Sequence, residues 1–209
     1  MKDPEAMTSY LTPPRRHHLI LASQSPRRKQ LLADAGIGVQ QISAADIDET
    51  PERAELPAPY AERMARQKAA VIAAENPGQF VLAADTVVAC GRRILPKAET
   101  AEQAAGCLDL LSGRGHRVYG GICLILPDGQ LRNRLSISQV KFRLLDKADK
   151  RAYLASGEWQ GKAGGYAIQG LAGLYIRKIT GSYSNIVGLD MHIVAGLLLA
   201  AGFSYAAAD

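Results

Sequence analysis

Two strand-forming segments that flank a single turn constrain the fold more than any other feature of the chain. The segment HRVYGGICLIL covers residues 116–126, QLRNRLSISQVKF covers 130–142, and the tripeptide PDG at 127–129 separates them. Asp-Gly tolerates the positive φ angles that a tight hairpin turn needs. The sequence therefore predicts an antiparallel hairpin, and the fold must contain the sheet to which this hairpin belongs.

Strands and helices are interspersed along the rest of the chain. Apolar runs predict strands at 19–22, at 80–89 (as one long strand or as a pair) and at 174–179. Helical patterns are predicted at about 26–35, 60–75, 101–112, 147–157 and 185–201. This order, combined with one antiparallel hairpin, is typical of a mixed-sheet α/β protein. We predict a loose N-terminal tail over residues 1–16 and a single domain over 17–205.

Two of these helices carry strong start signals. Thr100 with Gln103 makes a capping box, and Asp146 with Asp149 opens the helix that should end near Gly157. Because such boxes use groups only three residues apart, they predict helix starts from the sequence alone.

The composition is that of a globular protein. The chain has 209 residues, 47% hydrophobic and 22% charged, which allows one sizeable core or two lobes around a cleft. The net charge of +5 fits an anionic ligand without deciding which one. Three scattered cysteines favour buried thiols in a reducing cytoplasm over disulfides or a metal site: Cys90, Cys107 and Cys123.

The chain shows no targeting or membrane segment. Residues 1–18 lack the apolar region of a secretory signal, and Met7 is an alternative start. The apolar run 193–203 is shorter than the ~18 residues that a membrane span needs. We therefore expect a cytosolic protein without a membrane partner.

The stretch LASQSPRRKQLL places cations where a helix disfavours them. Ser25 suits the N-cap and Pro26 the first helical position, so Arg27, Arg28 and Lys29 fall in the first turn. A helix N-terminus already carries about half a positive charge, and its free N–H groups bind anions. Guanidinium groups add bidentate phosphate geometry. A solvated helix face is the alternative, but a bound polyphosphate would relieve the repulsion.

Asp85 follows the apolar run FVLAA at the predicted strand 80–89. A carboxylate at the end of a buried strand is costly unless it is needed, and strand ends in α/β sheets are where ligands bind. Asp85 is therefore a candidate proton acceptor, with a capping role for the next segment as the alternative.

Other signals are weaker. Asp46, Asp48 and Glu49 form an acidic loop that could bind a divalent cation or simply be solvated. Lys68 could belong to a site, although an ordinary lysine whose ammonium reaches solvent is the favoured alternative, and Lys97, in a loop, is equally ambiguous. The Gly-rich segment 157–170 includes Gln169, whose amide could read the edge of a base, although a surface loop is the alternative. The sequence contains neither a P-loop nor a dinucleotide-binding fingerprint.

Five motifs together closely resemble the Maf family of nucleoside triphosphate pyrophosphatases. The resemblance runs from about Leu19 to the last helix. Its motifs are LASQSPRRKQLL (21–32), AADTVV (83–88), LLSGRGHRV (110–118), GKAGGYAIQG (161–170) and GSYSNIVGL (181–189). The resemblance implies an α/β fold with an extended mixed β-sheet, flanking helices and two lobes around a deep cleft, an ITPase-like arrangement that is often dimeric.

The resemblance also implies an activity and a site. Such enzymes are hydrolases of phosphoric anhydrides that cleave nucleoside triphosphates to monophosphate and pyrophosphate with a divalent metal, Mg²⁺ or Mn²⁺. Asp85 matches the proton acceptor and, with Glu49, a metal-ligating position. Substrate-binding positions correspond to Ser23, Arg27, Arg28, Glu49, Lys68 and Lys97. Preference for dTTP and UTP is associated with Arg27, Thr86 and Gln169.

The chain departs from the family pattern in three places. ILPKAET (94–100) stands where Gly-Lys-Pro is usual, VYGG (118–121) replaces Tyr-Thr-Gly, and Asp190 replaces a proline. None of these removes a proposed catalytic group. Rival functions are the same chemistry on 7-methyl-GTP or on many nucleotides, and inhibition of septum formation by binding a partner. We expect no stable nucleic-acid binding, because no basic stretch is interleaved with aromatic residues.

Overall fold

The computed structural model describes residues 11–14 and 17–205. Its helices are α1 (Pro26–Asp34), α2 (Pro57–Glu75), α3 (Ala101–Leu111), α4 (Lys147–Ser156), α5 (Tyr183–Val187) and α6 (Met191–Ala200), with a 3-10 helix at Leu171–Tyr175. Its strands are β1 (Leu11–Thr12), β2 (Leu19–Leu21), β3 (Gln41–Ile42), β4 (Phe80–Cys90), β5 (Arg93–Leu95), β6 (Lys97–Ala98), β7 (Gly115–Ile125), β8 (Leu131–Phe142), β9 (Lys162–Ala163), β10 (Ile176–Thr180) and β11 (Ser204–Tyr205).

A seven-stranded mixed sheet forms the centre of the fold. Its order is β10-β8-β7-β4-β2-β3, and β5 pairs with β4 as the seventh strand. β2 runs parallel to β3 and β4, whereas β7 pairs antiparallel with β4 and β8. The predicted hairpin is confirmed, since β7 and β8 pair without a break from Gly115↔Lys141 to Ile125↔Leu131. The mixed-sheet α/β class is therefore confirmed, and 80–89 lies within one long strand.

Hydrophobic clusters lie on both sides of this sheet. One contains side chains of α3 and α4 together with Val88, Phe142 and Tyr166. Others pack α6 and α1 against β2 and β4, and α2 against the opposite face. β4 contributes to all of these clusters, so side chains near its middle lie between them.

A pair of glycines lets other elements approach the middle of the sheet closely. A Cβ on Gly121 would lie 2.0 Å from the Ala61 carbonyl oxygen of α2, and one on Gly120 would lie 2.0 Å from Asn185 Oδ1. Without these glycines α2 and α5 would have to move away from β7. The glycines pair with Asp85 and Thr86 of β4, so the close approach occurs beside those two residues.

The end of the chain differs from its prediction. A single helix at 185–201 was expected, but α5 ends at Val187 and α6 begins at Met191. Gly188 has φ 145°, which interrupts the helix, and Asp190 caps α6 through His192 N and accepts a 2.5 Å hydrogen bond from Ser136 Oγ. Asp190 thus starts a new helix where the family usually has proline. Predicted strand 174–179 is also corrected, because its first residues belong to the 3-10 helix.

The predicted tail falls mostly outside the described residues. Leu11 and Thr12, however, pair with Tyr205 and Ser204, and Leu11 is buried. This pairing brings them into the folded part of the chain although the sequence suggested a tail, because β11 supplies a partner from the other end of the chain. No helix among residues 11–14 and 17–205 is both long and apolar enough to cross a membrane.

Candidate active site

A gap along the edge of β4 opens into a cavity of about 540 Å³. On this edge β2 pairs with residues 80–82 and β5 with 88–90, so the stretch between them has no strand beside it. The cavity occupies that space. Its lining includes all nine residues that the family resemblance assigned to the site: Ser23, Arg27, Arg28, Glu49, Lys68, Asp85, Thr86, Lys97 and Gln169.

Helix α1 begins at the cavity without an ordinary cap. Ser25 occupies the N-cap position, but its side chain makes no capping hydrogen bond to any described residue, and the first turn holds no acidic residue. The unfavourable placing of cations at the start of α1, which the sequence predicts, is therefore present. Arg28 is only 8% exposed, and burial lowers its pKa while the nearby Asp85 carboxylate opposes that shift.

The Arg28 guanidinium connects three parts of the cavity wall. Nη1 donates to Ser23 Oγ at 2.8 Å, Nη2 to Thr86 Oγ1 at 3.0 Å and Nε to the Gly188 carbonyl at 2.9 Å. Three of the five N–H donors of an arginine are thus used, which leaves two for an anion. Arg28 thus shapes the wall and keeps two N–H donors without a partner among the described residues.

Strand alternation separates the roles of the next two β4 residues. Asp85 pairs with Gly121, beside α2, and its Oδ1 accepts a 2.6 Å hydrogen bond from Lys68 Nζ. Thr86 points to the opposite face, where its hydroxyl donates to the Gly188 carbonyl at 3.2 Å. One strand therefore supplies a carboxylate to one side of the cavity and a hydroxyl to the other.

An unbroken chain of ion pairs crosses the carboxylate side. Lys97 Nζ contacts Glu49 at 2.6 Å, Glu49 contacts Lys68 at 2.7 Å, and Lys68 contacts Asp85 at 2.6 Å. Burial would raise the pKa of Glu49, but hydrogen bonds and positive charge from both lysines outweigh it and lower that pKa to about 2. Lys68 and Asp85 are 8% and 6% exposed, so each compensates for the buried charge of the other.

Two residues that the sequence analysis missed hold the Glu49 loop in place. Tyr60 Oη donates to the Glu49 carbonyl at 2.6 Å, and Arg63 Nη2 donates to the Thr50 carbonyl at 3.1 Å. Arg63 also binds both carboxylate oxygens of Glu55. Burial and the nearby Asp85 and Glu49 charges raise the pKa of Tyr60 to about 12, so its hydroxyl stays a donor. Tyr60 and Arg63 are three residues apart on α2, and this spacing, which places both side chains on one face of the helix, is the signal in the sequence that could have identified them.

The acidic loop does not form the metal site that the sequence suggested. Asp46 and Asp48 are exposed, and within the described residues no three His, Cys, Asp or Glu side chains form a metal-binding group. Glu49 alone of the three reaches the cavity. Contacts of Glu49 with Lys68 of α2 and Lys97 of β6 direct the loop so that only the Glu49 side chain faces the cavity.

Gln169 lies at the open side of the cavity. It is exposed, and its amide makes no side-chain hydrogen bond to any described residue. The adjoining loop is held firmly, because Gly164 and Gly165 adopt φ 67° and a Cβ on Gly164 would lie 2.7 Å from Val88 Cγ1. The Gly-rich segment is thus packed against β4 rather than being a free surface loop.

Comparisons with known proteins identify the family. A family model described as "Maf-like protein" matches residues 18–201. A protein named dTTP/UTP pyrophosphatase from Paramagnetospirillum magneticum is 59% identical over 186 residues, 89% of this chain and 98% of the relative. One of the same name from Mesorhizobium japonicum is 57% identical over 191 residues, 88% of this chain and 92% of the relative.

Among solved structures, the Ham1 protein of Coxiella burnetii aligns with a TM-score of 0.48 at 15% identity, covering 88% of this chain and 99% of that one. The family match spans the sheet, the cavity and the helices around it. The chain belongs to the Maf family.

Proposed function

We propose that the protein hydrolyses dTTP and UTP, and modified pyrimidine nucleotides of the same kind, to the nucleoside monophosphate and pyrophosphate. One observation carries this proposal: nine residues scattered from Ser23 to Gln169 converge on one cavity. Relatives at 59% and 57% identity bear the name dTTP/UTP pyrophosphatase, which supports the choice of substrates. A cavity of about 540 Å³ is within the ~300–1,000 Å³ range of small-molecule sites.

In the proposed mechanism Asp85 accepts the proton of the attacking water. Its Oδ1 is held by Lys68, whereas Oδ2 accepts no hydrogen bond from the described residues. Lys68 fixes the orientation of the carboxylate, so that Oδ2 can act as the base. Ser23, Arg27 and Arg28 bind phosphate oxygens on the other side of the cavity, where α1 also directs its N-terminus.

The donor set fits a divalent cation that is held partly by the substrate. Asp85 and Glu49 both contact the Lys68 ammonium, so their carboxylates are neighbours. Mg²⁺ is commonly bound by one or two carboxylates together with substrate phosphates, and Mn²⁺ accepts the same oxygens. When bound, such an ion would neutralise negative charge on the phosphates. Lys97 would then keep Glu49 in position.

The proposed base reader is Gln169, and the two other positions associated with the dTTP/UTP preference, Thr86 and Arg27, line the same cavity. In one orientation a carboxamide matches O4 and N3–H of uracil and thymine, and after a 180° rotation it matches cytosine. The proposed preference therefore requires that Gln169 is held in the first orientation when the base is bound. Because Gln169 is exposed, its hydrogen bonds would form only with the bound base. We therefore propose that the protein prefers UTP to CTP only moderately. Replacing Gln169 with alanine should lower the UTP/CTP ratio of kcat/KM by about two- to tenfold.

A nucleotide panel tests the function. Purified protein with Mg²⁺ is assayed for pyrophosphate release from dTTP, UTP, CTP and 7-methyl-GTP, with Gln169→Ala alongside. Fastest release from dTTP and UTP supports the proposal. A preference for 7-methyl-GTP would replace the substrate assignment, and no release from any nucleotide would leave septum inhibition through a binding partner as the better explanation.

The remaining proposals concern context. A nucleotide substrate and unpaired thiols at all three cysteines support a cytoplasmic location. We also propose a single domain over 17–205 that forms a homodimer. Light scattering of the protein as it elutes from a size-exclusion column gives the molar mass that checks this.

A further inference from the structure

Lys162 lines the same cavity but has no role in the site described above. It belongs to β9, which pairs with β6 through Ala98↔Lys162 and Lys97↔Ala163. Its backbone N–H donates to the Trp159 carbonyl at 3.0 Å. The two glycines that follow the strand pack against β4 and α3. The backbone that carries Lys162 is therefore fixed at the cavity.

The lysines of the cavity differ in their electrostatic partners. Lys68 and Lys97 are both neutralised by carboxylates. The Lys162 ammonium makes neither an ion pair nor a hydrogen bond with any residue in the ranges 11–14 and 17–205, although the residue is half-buried. It is a cation without compensation in a partly desolvated place.

Arg27 is in a similar state. Only its Nε is used, in a 3.1 Å hydrogen bond to the Val187 carbonyl, so both terminal nitrogens are without partners among the described residues. Burial lowers the pKa of Arg27, and burial together with the positive charge of Arg27 lowers the pKa of Lys162. Both residues line the same cavity, so the two cations face one space and repel each other.

We propose that Lys162 binds the terminal phosphates of the triphosphate, the part that leaves as pyrophosphate, together with the terminal nitrogens of Arg27. The proposal rests on the proposed function and extends it by one substrate-binding residue. An anion between these two cations would convert their repulsion into two charge-assisted contacts. Arginine offers a fork and lysine a compact point charge, a combination suited to a polyphosphate.

The position of Lys162 favours the terminal phosphates over the reacting one. Asp85 and Glu49, the proposed base and metal ligands, are already matched by Lys68 and Lys97. The charged neighbour that influences Lys162 is Arg27. With the reacting phosphate beside the carboxylates, the proposal assigns the leaving phosphates to Arg27 and Lys162, and the comparison of pyrophosphate with UMP tests that assignment.

Binding of inorganic pyrophosphate tests this directly and needs no catalysis. The affinities of the full-length protein for pyrophosphate and for UMP are measured by calorimetry in EDTA, in the wild type, Lys162→Met and Lys162→Arg. Lys178→Met, an exposed lysine on the edge strand β10, is the control for the change in net charge. Hydrolysis of dTTP with Mg²⁺ is assayed separately.

We expect Lys162→Met to weaken pyrophosphate binding by ~10- to 100-fold, Lys162→Arg to restore most of it, and Lys178→Met to leave it unchanged. UMP affinity should change little. Unchanged pyrophosphate affinity in folded Lys162→Met would overturn the inference, and an equal loss for UMP would overturn the assignment to the terminal phosphates. A wild type that binds pyrophosphate through Lys162 but hydrolyses no nucleotide would uphold this site and refute the proposed function.

Discussion

Helices begin in opposite ways in two regions of the molecule, which we call the cavity wall and the α3–α4 layer. The cavity wall consists of Ser23, Arg27 and Arg28 around the start of α1, with Asp85 and Thr86 of β4 facing them. The α3–α4 layer consists of those two helices and the 3-10 helix that packs on α4. In the wall α1 begins without a side-chain cap and with two arginines, whereas α3 and α4 begin with complete capping boxes.

Other contacts repeat this contrast. In the α3–α4 layer, Arg143 binds Asp149 with both terminal nitrogens at 2.6 and 2.7 Å, and Tyr175 Oη donates to the Asp149 carbonyl at 3.0 Å. Gly157 ends α4 in the left-handed conformation with φ 70°. Both helices of this layer thus begin with satisfied caps, and α4 also ends with a favourable one.

The difference indicates which region provides stability and which provides binding. Local rules are broken where a ligand is expected to complete the contacts, and they are kept where the chain has only to fold. Substitutions in the wall should therefore change activity more than stability, and substitutions in the α3–α4 layer should do the reverse.

Asp85→Asn should give the largest effect. Loss of a positioned base lowers kcat by ~10²–10⁴, while Lys68 keeps Glu49 as its partner, so the protein stays folded. The measurement is steady-state turnover of dTTP together with the melting temperature. Asp109→Asn, which removes an exposed partner of Lys150, is the matched control. Near-native turnover in folded Asp85→Asn would refute the assignment of the base, and a loss of turnover that is explained by a large loss of Mg²⁺ affinity would make Asp85 a metal ligand only.

His116, which packs under the cavity beside the α3–α4 cluster, should make stability depend on pH. It is 3% exposed, Nε2 lies 2.8 Å from the Tyr166 hydroxyl, and burial lowers its pKa to about 4. As pH falls from 6.5 to 4, the unfolded chain binds a proton that the folded protein does not, so unfolding becomes easier.

For His116 alone the loss of unfolding free energy reaches about 3 kcal/mol below pH 4. Chemical denaturation between pH 7 and 4 measures it, and His116→Gln should lose less stability over that interval than the exposed His192→Gln control. Parallel pH profiles for the two variants would show that His116 is protonated in the folded protein.

Arg28→Ala should weaken triphosphate binding by ~10- to 100-fold, because it removes a charge-assisted contact from the wall. Binding of the monophosphate should weaken less if the arginine holds a β- or γ-phosphate. Calorimetry with dTTP and dTMP in EDTA measures both, with the exposed Arg177→Ala as control. Equal losses for both ligands would mean that Arg28 acts by positioning Ser23 and Thr86 rather than by holding the terminal phosphates.

Asp146→Ala should have the smallest effect, and it should lower stability rather than activity. Removing the cap of α4 costs ~1 kcal/mol of stability, which lowers the melting temperature by a few degrees and leaves kcat for dTTP unchanged. Calorimetric melting tests the expected loss of stability, and a turnover assay on the same sample tests the unchanged kcat. A loss of turnover without a loss of stability would remove the contrast between the two regions.

Features whose interacting groups lie close together in the chain follow from the sequence. Both capping boxes use groups three residues apart, and the hairpin is specified by Asp128-Gly129 between its strands. The unfavourable start of α1 was also readable, because Ser25 and the following cations are adjacent. Motif resemblance placed the site residues along the chain but could not show what each one touches.

Tertiary structure decided the contacts that join distant parts of the chain. Arg28 bonds to Gly188, 160 residues away, and Lys97 contacts Glu49 across 48 residues. The anchoring of the Glu49 loop by Tyr60 and the placing of Lys162 in the same cavity as Arg27 are of the same kind. A local pattern reports only what a residue can do with its neighbours in sequence. The charge, burial and direction of a cavity side chain depend on strand order and helix packing, which bring remote segments together only in the folded protein.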